Sequence, residues 1–201
     1  MTDYFLLLSE SRRPWLAPEA LKQKFLNLSA EVHPDRVHQA SPEEQRAAQA
    51  RYTELNAAYQ CLREPKQRLR HLLELERGAK LDELQQVPQD LMDVFFSVSQ
   101  LCRQADAFLT EKSKAASPML KAQIFERGLE WTDKLMSMQK EINARLEQLT
   151  AEIKTIDTEW LNNKAQARDS LLNQLEKLAR LLGFYERWGS QLQERIVRLS
   201  F

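Results

Sequence analysis

The chain has 201 residues, enough for one domain or two small ones, and carries 29 basic and 29 acidic side chains. That balance argues against a protein held chiefly by nucleic-acid phosphates, and no run approaches the ~20 apolar residues of a membrane span. Four glycines and seven prolines, among abundant Leu, Glu, Gln, Lys, Arg and Ala, favour helix throughout.

Cys61 and Cys102 lie in helical segments without a CxxC spacing. A single disulfide stays open, but buried thiols in a reducing compartment fit better. The three histidines do not pair with them at zinc-finger spacings, so neither a metal site nor a cofactor is expected. Met1-Thr2-Asp3-Tyr4 has no basic leader region, and the apolar run to Leu8 is too short for a signal core. A soluble cytoplasmic protein is the expectation, with no nucleic acid and no membrane among its partners.

In chain order, Asp3 is placed to cap a short helix through Leu8, ended by the Ser9–Pro14 loop. Pro18 sits in the first turn of a second helix, where its missing N–H costs nothing. Leu21, Phe25, Leu28 and Val32 then form one apolar stripe, and Pro34 ends the helix. Ser41-Pro42-Glu43-Glu44 combines a capping hydroxyl, proline at the first helical position and a capping-box glutamate. The helix it starts puts Tyr52, Leu55, Ala58, Tyr59 and Leu62 on one side. Pro65 opens a fourth helix carrying Leu69, Leu72, Leu73 and Leu75. The second and third helices form an antiparallel hairpin with His33-Pro34-Asp35 at its tip.

Gly78 reads as a helix stop, and residues 77–87 as a linker. A helix is predicted from Pro88 to about Thr110, with a break at Ser113–Pro118. A long helix follows to about Trp160, with Ile142, Leu146, Leu149, Ile153, Ile156 and Trp160 at heptad-like spacing. Asn162 and Asn163 suggest a turn. The last helix carries Leu171, Leu175, Leu178, Leu182, Tyr185, Trp188, Leu192, Ile196 and Leu199, and Gly183 and Gly189 are expected to weaken or bend it. Two such seams favour a long antiparallel coiled-coil hairpin, which the Pro88 helix completes as a three-helix bundle. The seams leave open whether pairing is within one chain or between two, and with it a homodimer. The fold class is therefore all-α: residues 1–76 as one domain, a linker, and residues 88–201 as a second helical domain. No nucleophile-base-orienter set or phosphate-binding glycine loop is present, so an enzyme is not expected.

His33-Pro34-Asp35 followed by Arg36, the helical hairpin around it, and Leu55-Asn56-Ala57-Ala58-Tyr59 with Leu62, Pro65 and Arg68 together resemble the J domain over residues 3–76. The resemblance implies a co-chaperone that docks on the ATPase domain of a DnaK/HscA-type heat-shock chaperone and triggers ATP hydrolysis. On that resemblance His33, Pro34, Asp35, Arg36, Lys22, Lys24 and Arg68 contact the chaperone. The chemistry suits those roles. Proline stiffens the loop, a carboxylate can take two hydrogen bonds from one arginine, and the histidine can orient the loop by hydrogen bonding. Asn27, Ser29 and Glu31 stand where J domains usually carry more lysine and arginine, and through Glu76 eleven basic residues face eleven acidic ones. That departure implies either weaker docking or a dedicated partner.

An N-terminal J domain, a short linker and a helical C-terminal domain are similar to the HscB (Jac) type, which delivers the iron–sulfur cluster scaffold protein to a specialised chaperone. Pro88-Gln89-Asp90-Leu91-Met92-Asp93 resembles the start of that type's scaffold-binding helix, implying client contacts at Leu91, Met92, Phe95 and Phe96 and an exposed apolar patch there. Phe96, Ser99 and Arg103 stand where that type usually has glutamates. Two alternatives stay open: a J-domain adaptor whose coiled coil binds another client or mediates oligomerisation, and a helical interaction protein with an inactive J domain.

Overall fold

The computed structural model describes residues 2–33, 36, 40–79, 87–114, 117–162 and 168–200. Among them are seven α helices and no strand: α1 Tyr4–Leu7, α2 Pro18–Glu31, α3 Pro42–Arg63, α4 Pro65–Arg77, α5 Met92–Ser113, α6 Pro118–Asn162 and α7 Arg168–Ser200. None of these helices is long and apolar enough to cross a membrane.

The starts follow the local chemistry. Asp3 accepts from the N–H groups of Phe5 at 2.9 Å and Leu6 at 3.2 Å, satisfying two orphan donors of α1. Before α3, Ser41 Oγ accepts from the Glu44 N–H while the Glu44 carboxylate accepts from the Ser41 N–H, a complete capping box. Gly78 ends α4 at φ 71°, a left-handed position that glycine takes without steric cost. Inside the α2–α3 hairpin the Phe25 and Tyr59 rings stack with centroids 4.3 Å apart, over buried Leu21, Leu55, Ala58 and Leu62.

The helix expected from Pro88 begins four residues later. Pro88 is extended, and Gln89–Leu91 form a 3-10 turn closed by the Leu91 N–H on the Pro88 carbonyl. The region of the expected turn at Asn163 lies outside the described residues, as does most of the expected linker. Both cysteines are free thiols.

By contact the chain forms two compact units, Met1–Asp82 with Thr150–Arg180, and Glu83–Leu149 with Leu181–Phe201. In the first, Asp157 is buried near the end of α6. Its carboxylate accepts both from the Arg13 guanidinium and, at 3.0 Å, from the Trp15 N–H. The indole N–H of Trp160 donates to the Arg12 carbonyl at 2.9 Å, and Lys154 Nζ lies 4.6 Å from the Trp15 ring centre. Arg77 bonds Glu176 and Asn173 of α7. Arg168 covers Trp160 and reaches Glu76.

The second unit is a three-helix bundle. Phe108 of α5 packs on Trp131 of α6, and Glu111 pairs with Arg127. Residues 97–104 share a groove with residues 134–141, so α5 and α6 run antiparallel. Arg195 of α7 meets Asp106 at 2.7 Å, and Lys112 donates to the Leu199 carbonyl. α7 is continuous through Gly183 and Gly189. A Cβ at Gly189 would stand 3.2 Å from Gln139 Nε2, so the missing side chain lets α6 approach.

Two expectations follow for stability. Asp157→Ala removes the acceptor for Arg13 and Trp15; with Arg13 keeping some solvent access, urea unfolding should show a loss of about 2 kcal/mol, and Asp157→Asn a smaller one. The second concerns His71, buried on α4, whose Nε2 accepts from the Tyr4 N–H at 3.1 Å while Tyr4 and Phe5 stack on its ring. Burial pushes this imidazole below its ordinary range, against the raising effect of Asp3 and Glu74. The folded chain therefore favours the neutral ring. Its contribution is whole above the unfolded value of about 6.5 and is lost as pH falls through the lowered folded value. Melting scans should show a steeper fall below pH 6.5 for the native chain than for His71→Gln, which keeps an acceptor but does not titrate.

Candidate functional site

The α2–α3 connection presents the candidate docking tip. After α2 ends with Val32 as its cap, the half-buried His33 ring meets Tyr52 of α3 edge-on, with centroids 5.4 Å apart and planes at 82°. The Arg36 N–H returns to the His33 carbonyl at 2.9 Å. The Arg36 guanidinium donates to the Ala30 carbonyl at 3.1 Å, satisfying an acceptor that the end of α2 leaves open. His33 and Arg36 are thus both anchored to the hairpin. Pro34 and Asp35, the other two tip residues expected from sequence, lie outside the described residues, as does His38.

The expected basic residues separate into different roles. Lys22 is exposed on the outer face of α2. Lys24, two positions on, points elsewhere, because residues i and i+2 do not share a helix face. Its ammonium is 2.8 Å from a Glu10 carboxylate oxygen and donates to the Ser9 carbonyl at 3.0 Å, tying α2 to the loop after α1.

Arg68 corrects the expectation of a surface contact. It is 2% exposed and donates to the carbonyls of Pro14 at 2.7 Å and Leu62 at 2.8 Å, with Trp15 across its face. Burial pushes its guanidinium down to about 10, so it remains charged at neutral pH. Its spacing of four from Leu72 was the available signal, since it put Arg68 on the inward face of α4.

The expected client patch is also redistributed. Leu91 is 5% exposed and belongs to the core, because the 3-10 turn rotates it inward. Met92 and Phe95 are half-buried, while Phe96 is 55% exposed with its ring 5.5 Å from that of Phe95. An exposed patch therefore survives, narrower than expected and centred on Phe96. Sequence reasoning passed over Leu26, which is 48% exposed on α2. Its position off the Leu21, Phe25, Leu28 and Val32 stripe was the signal.

Comparison with known proteins adds three findings. Residues 13–72 match the DnaJ domain. The co-chaperone protein HscB homolog of Bordetella petrii is 35% identical over 99 residues, a stretch covering 49% of this chain. The match takes in 56% of that curated relative, so it spans little more than half of its length. Human co-chaperone protein HscB, a crystal structure, shares the fold with a TM-score of 0.63 over 98% of this chain and 81% of its own, at 19% identity. Residues 13–72 thus carry a DnaJ domain on the α2–α3 hairpin, and the chain is similar to HscB co-chaperones.

Proposed function

We propose that the chain is a co-chaperone that stimulates the ATPase of a DnaK/HscA-type heat-shock chaperone and delivers a client, the iron–sulfur cluster scaffold protein. The observation that carries this reading is His33-Pro34-Asp35-Arg36 at the end of the α2–α3 hairpin within a DnaJ domain. Proline limits the backbone of the tip, and the Asp35 carboxylate can take two charge-assisted hydrogen bonds from an arginine of the chaperone. His33 and Arg36, held by Tyr52 and the Ala30 carbonyl, support the tip from both sides. Lys22 adds the one exposed positive charge on the adjacent α2 face. In this division of labour residues 1–76 act on the chaperone and residues 88–201 hold the client. Met92, Phe95 and Phe96 make the client contact. The chain itself does no catalysis.

A second reading makes residues 88–201 an adaptor for a different client or a means of self-association. What favours it is the exposed apolar series Phe125, Leu129 and Met136 on α6.

Single-turnover ATP hydrolysis by purified DnaK and HscA tests the first step. The native chain should accelerate at least one of them, and Asp35→Asn should remove at least about 90% of the acceleration, more than one tenfold step in coupling. Unchanged stimulation by Asp35→Asn would remove the tip from the mechanism. Titration of the iron–sulfur scaffold protein tests the second step. Met92→Ala with Phe96→Ala should weaken capture by roughly tenfold or more without lowering the melting temperature, as expected for apolar anchors at an interface. Equal capture by the double variant favours the adaptor reading.

A further inference from the structure

Resting on the co-chaperone reading, we propose that the outer face of α2 docks on the chaperone through an apolar contact centred on Leu26, and that this contact replaces electrostatic attraction in selecting the partner. The inward face of α2 is occupied by Leu21, Phe25, Leu28 and Ser29, which pack toward α3. The opposite face carries Glu19, Lys22, Gln23, Leu26 and Ala30, all exposed. Leu26 is 48% exposed at its centre, one turn from Lys22 and Gln23 on one side and from Ala30 on the other.

The charges on this face cancel. Glu19 offsets Lys22, and the helix as a whole holds two lysines and two glutamates. The second lysine, Lys24, is tied to Glu10 and the Ser9 carbonyl. Beside Leu26, Gln23 donates to Asn27 at 2.9 Å, so two amides satisfy each other and present no net charge. The face runs on into the tip, because the Arg36 guanidinium reaches back to the Ala30 carbonyl one turn beyond Leu26. A partner engaging Arg36 therefore meets Ala30 and Leu26 next. The complementary surface is a nearly neutral, apolar depression on the chaperone's ATPase domain, and among the described residues a strongly acidic surface would find Lys22, offset by Glu19, and Arg36 at the edge.

Long-range attraction between opposite charges is screened by salt, whereas apolar contact is not, so ionic strength separates the two modes. Half-saturation of ATPase stimulation should shift by less than about twofold between low and near-physiological salt. Leu26→Gln should raise the half-saturating concentration by roughly tenfold, leaving maximal stimulation and the melting temperature unchanged. Leu26→Lys should lose affinity for the native partner similarly and acquire a salt dependence.

If Leu26→Gln stimulates like the native chain, or Lys22→Gln loses as much as Leu26→Gln while salt weakens docking steeply, the apolar contact is overturned and the co-chaperone reading stands. If the native chain stimulates neither DnaK nor HscA, or Asp35→Asn is indistinguishable from it, the co-chaperone reading falls and this inference falls with it. Binding of the ATP-bound chaperones, followed by fluorescence anisotropy of a label on the chaperone, should give the same order of affinities without relying on turnover.

Discussion

The Arg68 guanidinium holds the N-terminal helices in register. From the first turn of α4 it bonds the Pro14 carbonyl in the loop leading to α2 and the Leu62 carbonyl near the end of α3, while Trp15 covers its face. The loop before α2 and the α3–α4 junction, distant in order, thus converge on one charge. A buried cation is tolerated only where carbonyl oxygens replace its water, and here two of them do. The loop leading into α2 is thereby fixed against the junction of α3 and α4. Asp157 continues the same loop's fixation by binding Arg13 and the Trp15 N–H.

Much of this architecture was legible in the sequence because its signals are local. Proline in the first turns of α2, α3, α4 and α6, the Ser41–Glu44 box and the left-handed Gly78 mark boundaries through backbone chemistry alone. The heptad-like seams from Ile142 and Leu171 mark the two long helices. Four features are settled by tertiary contact, although the four-residue spacing from Leu72 already puts Arg68 on the inward face of α4. Arg68 looks like a surface cation until the Pro14 carbonyl meets it, and Lys24 until Glu10 does. Leu91 joins the core only because a 3-10 turn replaces the first α turn. Gly189 looks like a flaw until Gln139 fills the space beside it. At the candidate site, the tip motif and Phe96 could be read from residue order. The contact of Tyr52 with His33 needed the facing helix, whereas Leu26 stands off the apolar stripe in the sequence itself.

The α2–α3 hairpin divides its contacts by helix face. One side of α2 stabilises the hairpin through the Phe25–Tyr59 stack, and its flank ties down the preceding loop through Lys24. The remaining face, with Glu19, Lys22, Gln23, Leu26 and Ala30 exposed, is nearly neutral.

The compact units interleave along the chain: Thr150–Arg180 belongs with Met1–Asp82, and α6 and α7 each contribute to both. A nascent chain leaving the ribosome must therefore release all of α5 and most of α6 before Asp157 can reach Arg13. At roughly 5–20 residues per second, the N-terminal helices wait for several seconds without that anchor. Emergence of the chain through Arg180 thus completes the first unit, and the second follows with Leu181–Phe201.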